Sequence, residues 1–314
     1  MGDEDIPVGP RGQTDFVGHV RIPVAGMDPN APITNLIANA KTAQGKWIEQ
    51  ATALIGPARA EFRSTYIRWA LAINGLHVAA EKYLDRGWQA THAEFFVTSI
   101  RADNEGQAST EKIAQWDGPT AARNHMATAP MLVAYGVIDL YACLEEWVFD
   151  LYSAFLQAYP AVLIKGEDFR ELRRLQRDAA SGREPKAKWE NAWKERLDNW
   201  QRKRMYDGID KVFLAFCNET GLKRPATYKH TDIPTWVESL RLVAVLRNSL
   251  MHGAETVNEE LASLCNKPHS LGFAFKDDDV LNLELRHLQS VECFTDQFLT
   301  AINLSLFEHA DAFQ

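Results

Sequence analysis

Arg247, Asn248 and His252 fall within six residues that close on Gly253, and their side chains have the chemistry to break an RNA phosphodiester. An imidazole can take the proton of a ribose 2′-hydroxyl, or return one to the 5′ leaving oxygen, while a guanidinium stabilises the charge that builds on the phosphate. The reaction needs no metal. The carbonyl end of a helix favours imidazolium, so a histidine there serves better as acid than as base. One Arg–His pair supplies half of an acid–base set, and two copies facing each other across a homodimer would complete it.

The spacing alone is weak. Chance gives about 1.7 pairs of Arg followed four to six residues later by His in a chain of this composition. Two other pairs, Arg86 with His92 and Arg224 with His230, span Gly87 and Pro225 and so do not share an uninterrupted helix. The environment of Arg247 raises the signal. With 100° per residue, Trp236, Leu240, Val243, Ala244, Leu250 and Met251 all lie within about 60° of Arg247, which therefore sits in the middle of an apolar stripe. A guanidinium keeps its proton, so burying it requires an anion or trapped water. A phosphate is one candidate. The competing structural candidate is an ion pair with Glu145 or Glu146 that holds two helices in register. Asn248 and His252, at i and i+4, lie on the flank of the stripe; for His252 the competing reading is a residue bonding the last carbonyls of its own helix.

The elements that must position these residues are mostly helical. Residues 33–55 and 62–83 carry apolar positions at helical spacing, separated by Gly56 and Pro57, and predict an N-terminal helical hairpin with His77 beside its apolar face. A domain boundary is expected between residues 88 and 129. Residues 131–155 form the most apolar helix, striped by Val137, Leu140, Leu144, Val148, Leu151 and Phe155. Helices are also expected over 209–217, 234–252 and 286–308. A small β-hairpin is expected from 271–275 and 280–285 around a solvated turn of three aspartates, Asp277, Asp278 and Asp279.

The segment from Leu246 to Gly253 resembles the RxxxxH signature of HEPN domains, a superfamily of helical bundles that includes many prokaryotic ribonucleases of defence and toxin systems. Residues 142–147, an apolar helix interrupted by acidic residues, resemble the opening helix of such domains, and the resemblance covers residues 130–314. It implies a HEPN-type helical bundle, and with the small β-hairpin and the N-terminal helical region read from residue spacing a mainly all-α fold is expected. It also implies catalytic roles for Arg247 and His252, a supporting one for Asn248, and a partner role for Glu145. The organisation expected is a flexible N-terminus at 1–32, a helical module of unknown role at 33–129 that senses, neutralises or dimerises, and a HEPN-like domain at 130–314 with a basic helical insertion at 165–211. The function expected is metal-independent endoribonuclease action on single-stranded RNA or tRNA loops, by a homodimer that a regulatory protein partner could control. The alternative is a non-catalytic HEPN binding or scaffold module, an antitoxin-like partner.

Composition narrows this further. The net charge of −8 argues against indiscriminate nucleic-acid binding, but residues 165–211 hold 14 Lys and Arg against 10 Asp and Glu. Trp189, Trp193 and Trp200 interleave with those cations, either as a core stripe or as a track that stacks bases. Cys143, Cys217, Cys265 and Cys293 form no metal-ligand spacing and are expected to be reduced core residues, with no metal and no cofactor. No apolar run is expected to reach the ~20 residues of a membrane span. Residues 1–14 show no basic start followed by an apolar core, so a cytoplasmic location without membrane contact is expected.

Overall fold

The computed structural model describes residues 35–92, 94–102 and 104–310, so the N-terminal segment expected to be flexible lies outside the described residues. The fold is mainly α-helical with one two-stranded sheet. The order is α1 (Lys46–Leu84), α2 (Arg86–Gln89), β1 (Phe95–Ala102), β2 (Ala108–Trp116), α3 (Gly118–Ala158), α4 (Arg170–Asp178), α5 (Arg183–Arg204), α6 (Ile209–Thr220), α7 (Ile233–Met251), α8 (Glu259–Cys265) and α9 (Leu285–Ala310).

The expected N-terminal hairpin is instead one helix. Residues 35–42 are not helical, and α1 runs without a break through Gly56 and Pro57. A proline inside a helix costs about 3 kcal/mol through a lost hydrogen bond and a clash with the preceding turn. Burial on both sides outweighs it: Trp47, Ile48, Ala51 and Ile55 before the proline, and Phe62 and Ile73 after it, are all in the core. Each large side chain contributes about 1.5–3 kcal/mol. The segment at 35–42 is tied down by side chains rather than by its own turns. Asn303 of α9 accepts from the Leu36 amide at 2.8 Å and donates to the Leu36 carbonyl at 2.7 Å, and Thr52 accepts from the Ala38 amide at 3.0 Å.

Likewise, α3 begins at Gly118 under an Asp117 cap and passes through Pro130 without a break. Buried residues of α1 share one hydrophobic cluster with α3, α6, α7 and α9. The expected α3 stripe holds, with Val137, Leu140, Leu144, Val148, Leu151 and Phe155 all buried. By length and composition α3 meets the requirement for a membrane span, contrary to expectation; 39% of its most apolar window is buried within the structure. His77, expected near the core, is exposed on α1.

The small sheet is not where the sequence pattern put it. β1 and β2 form an antiparallel ribbon between α1 and α3, in register Phe95 with Trp116 and with an irregularity between Val97 and Thr98. Its base rests on an aromatic group in which Phe95 packs 4.5 Å from Tyr83 and 5.2 Å from Trp88. At 271–285 there is no hairpin. Residues 278–281 bond the backbone at 255–257 instead, through Val257 N to Asp279 O at 2.9 Å and Leu281 N to Glu255 O at 2.9 Å. The three aspartates form an exposed turn, with Asp278 at φ +63°.

The basic stretch folds as α4 and α5. Trp193 and Trp200 are buried, and Trp200 meets Tyr152 and Phe149 of α3 edge-on at 4.9 and 5.7 Å. The tryptophan stripe is therefore core, and the cations of α5 lie on its other faces.

Candidate functional site

α7 is built by its own caps. Asp232 accepts from the Thr235 amide at 3.0 Å, Thr235 Oγ1 accepts from the Asp232 amide at 2.8 Å, and Pro234 occupies the first turn, where no amide is missed. At the other end Gly253 adopts φ +67° and the Ala254 amide reaches back to Ser249 O at 3.0 Å, the left-handed closure that glycine permits. Trp236, Leu240, Val243 and Ala244 of the expected stripe are buried, but Met251 is 54% exposed because the stripe leaves the bundle at the last turn.

Arg247 lies at that exit, half-buried. Its guanidinium carbon sits 5.2 Å above the ring of Tyr141 on α3, and NH1 donates to Asn248 Oδ1 at 3.0 Å. A cation over a ring is worth about 0.5–2 kcal/mol, rising with desolvation. Nε is enclosed and has no hydrogen-bond partner among the described residues. Among the described residues no carboxylate forms an ion pair with Arg247, so the expected structural pair with Glu145 or Glu146 is not made. Glu145 joins the group through Tyr141, whose hydroxyl donates to Glu145 Oε1 at 3.1 Å.

Burial pushes the Glu145 carboxyl above its ordinary value, opposed by the Tyr141 bond and the Arg247 charge. Burial also raises the Tyr141 phenol, with Glu145 adding to the effect and Arg247 working against it. A carboxyl raised by folding favours the native state while protonated and withdraws that support as pH climbs through the raised value. Glu145→Gln should therefore flatten the decline of the melting temperature between pH 5 and 8, and should be no less stable than the natural chain at pH 8. Thermal melts across that range check it. A variant that instead loses stability most at pH 8 would show that attraction to Arg247 outweighs burial.

Asn248 and His252 are exposed on the flank of α7. The backbone amide of His252 bonds Asn248 O at 3.1 Å, while its ring has no hydrogen-bond partner among the described residues, so the ring does not cap its own helix. With the spacing of a regular helix, the offset of five positions from Arg247 to His252 corresponds to about 7.5 Å along the axis and about 140° around it. Within one chain they therefore occupy different faces of the same helix end.

Sequence reasoning missed Tyr141, although its position four residues before Glu145 on an apolar helix was a signal for such a pair. It also missed a cavity of about 400 Å³ between the first half of α7 and α9, walled by Trp236, Phe294, Phe298, Ser239 and Tyr228. Cys293 lies on the edge of that cavity and is exposed, whereas Cys143, Cys217 and Cys265 are buried as expected. Among the described residues no cluster of His, Cys, Asp or Glu is arranged to hold a metal.

Fold and site define a mainly α-helical protein with a half-buried arginine at the end of α7 that makes no ion pair among the described residues. No family model, no curated protein and no solved structure matches this chain.

Proposed function

We propose that the chain is a metal-independent endoribonuclease of HEPN type, acting on single-stranded RNA or tRNA loops as a homodimer. A prokaryotic defence or toxin system is the setting that its resemblance implies. The observation that carries the reading is the state of Arg247: a guanidinium set in an apolar helix face, making no ion pair, and with an enclosed Nε that lacks a hydrogen-bond partner among the described residues. Such a group is short of an anion, and a scissile phosphate supplies one. Asn248 and the unbonded ring of His252 stand at the same exposed helix end. The roughly 140° between Arg247 and His252 favours a site completed by a second copy, so that one chain's arginine and the other's histidine act on one phosphodiester. Met251 at the helix end is exposed, as is Tyr206 in the turn leading into α6, at 93%; both offer apolar surface for that copy.

One observation favours the second reading, a non-catalytic binding module. The stack of Arg247 on Tyr141 gives the arginine a structural role without RNA. Incubating the purified chain with total RNA in excess EDTA separates the two readings. The nuclease should generate discrete fragments, and EDTA should leave their rate of appearance unchanged. Intact RNA throughout, from protein that is folded and dimeric, supports the binding module.

A further inference from the structure

Arginine and lysine side chains that share a concavity repel one another unless carboxylates or a bound anion neutralise them. The loop leading out of α3, together with α4, builds such a concavity. It is an open cavity of about 840 Å³ whose wall includes Lys165, Arg170, Arg173 and Arg177 against a single carboxylate, Glu167. On α4, Arg170, Arg173 and Arg177 follow i, i+3 and i+7 spacing, which puts them along one face. Among the described residues, Lys165, Arg170 and Arg177 make no ion pair, even though the chain as a whole is acidic.

The wall is fixed. Arg173 NH1 donates to Ile164 O at 2.7 Å and also to Gly166 O, and Gly166 can present that carbonyl because it adopts φ +90°. From α5, Arg196 donates to Leu163 O at 2.9 Å and lies 4.6 Å over the Phe169 ring. Two arginines thus pin the loop to two helices, and the other cations project from a surface already set. Order that precedes binding reduces what the ligand must supply.

We propose that this cavity is an anion site that grips consecutive phosphates of a single RNA strand. The choice of RNA rests on the nuclease reading above; the phosphate chemistry does not. Guanidinium groups spaced along one helix face suit repeated phosphates, and the lining holds no aromatic ring on which a base could stack, so recognition here follows the backbone and not the sequence.

Fluorescence anisotropy of the full chain with a labelled 12-nucleotide single-stranded RNA, in EDTA and over a series of salt concentrations, tests the assignment. Neutralising two phosphate contacts by Arg170→Gln with Arg177→Gln should weaken binding about tenfold at low salt and reduce the slope of log affinity against log salt by about 1.4. Arg174→Gln is the control. Its side chain is exposed and pairs with Glu171 at 2.6 Å outside the cavity, so it should leave both quantities nearly unchanged. All three substituted residues are exposed on α4, and circular dichroism checks that each variant keeps its fold. An equal loss in the Arg174 control, or an unaltered salt slope in the double variant, overturns the site. Tripolyphosphate is the competing probe: if it binds the cavity more tightly than the RNA does, the ligand is a free oligophosphate and the RNA assignment fails. Binding is read apart from cleavage, so a chain that binds RNA through this cavity without cutting it supports the site while removing the nuclease reading.

Discussion

Arg247→Ala should lower the rate of RNA cleavage about 10²–10³-fold, the usual cost of removing one preorganised donor to a developing oxyanion. The binding of RNA at the α4 cavity should hardly change, because Arg247 belongs to another part of the surface. His252→Ala should fall by a similar or larger factor, about 10²–10⁴, as a lost proton-transfer group does. The arginine variant also loses its stack on Tyr141 and must be checked by thermal melting, with Arg247→Lys as companion. Lysine keeps the charge but not the planar fork, so it should stay folded and remain strongly impaired. Mixing the two inactive variants adds a test of the dimer. If arginine and histidine meet across a two-fold axis, exchanged subunits regain part of the activity; no recovery after verified exchange argues that each chain works alone. An Arg247→Ala chain that is folded and fully active would remove the proposal altogether.

The second large effect is on stability. Phe298→Ala should cost about 3–5 kcal/mol, read as a shift of the urea midpoint at constant slope. Phe298 is 1% exposed and stands at the junction of four helices. Its ring meets Phe213 of α6 at 4.9 Å, Trp147 of α3 at 5.9 Å and Trp236 of α7 at 6.1 Å, all edge-on, and stacks on Phe294 at 5.7 Å. No small side chain can fill that space without moving a helix. Because a domain of ordinary stability has about 5–15 kcal/mol in total, the variant should lie close to unfolding at 37 °C. A change below about 1 kcal/mol would mean that this aromatic junction does not fix α7 against α3, and the placement of Arg247 over Tyr141 would need another cause.

The amino-acid sequence by itself determined α7 and the long apolar stripes. Asp232, Pro234 and Gly253 act on backbone groups within a turn of themselves, and helical spacing marks which face of α3, α7 and α9 is buried, so these signals are local and survive in any context. The unusual position of Arg247 was legible for the same reason. Only the tertiary structure decided what that arginine meets. Tyr141 lies more than a hundred residues away in the chain, and nothing near Arg247 specifies a phenol ring beneath it. The same holds for the passage of α1 and α3 through Pro57 and Pro130. A local penalty of a few kcal/mol is read easily from sequence, whereas the burial that outweighs it comes from partners assembled out of the whole chain. Residues 271–285 have the alternation of a hairpin, yet their backbone bonds go to residues 255–257, because strand pairing is a choice between partners and alternation does not name one. The cations of α4 were visible as charge, but their convergence on one cavity required the loop that Arg173 and Arg196 hold in place.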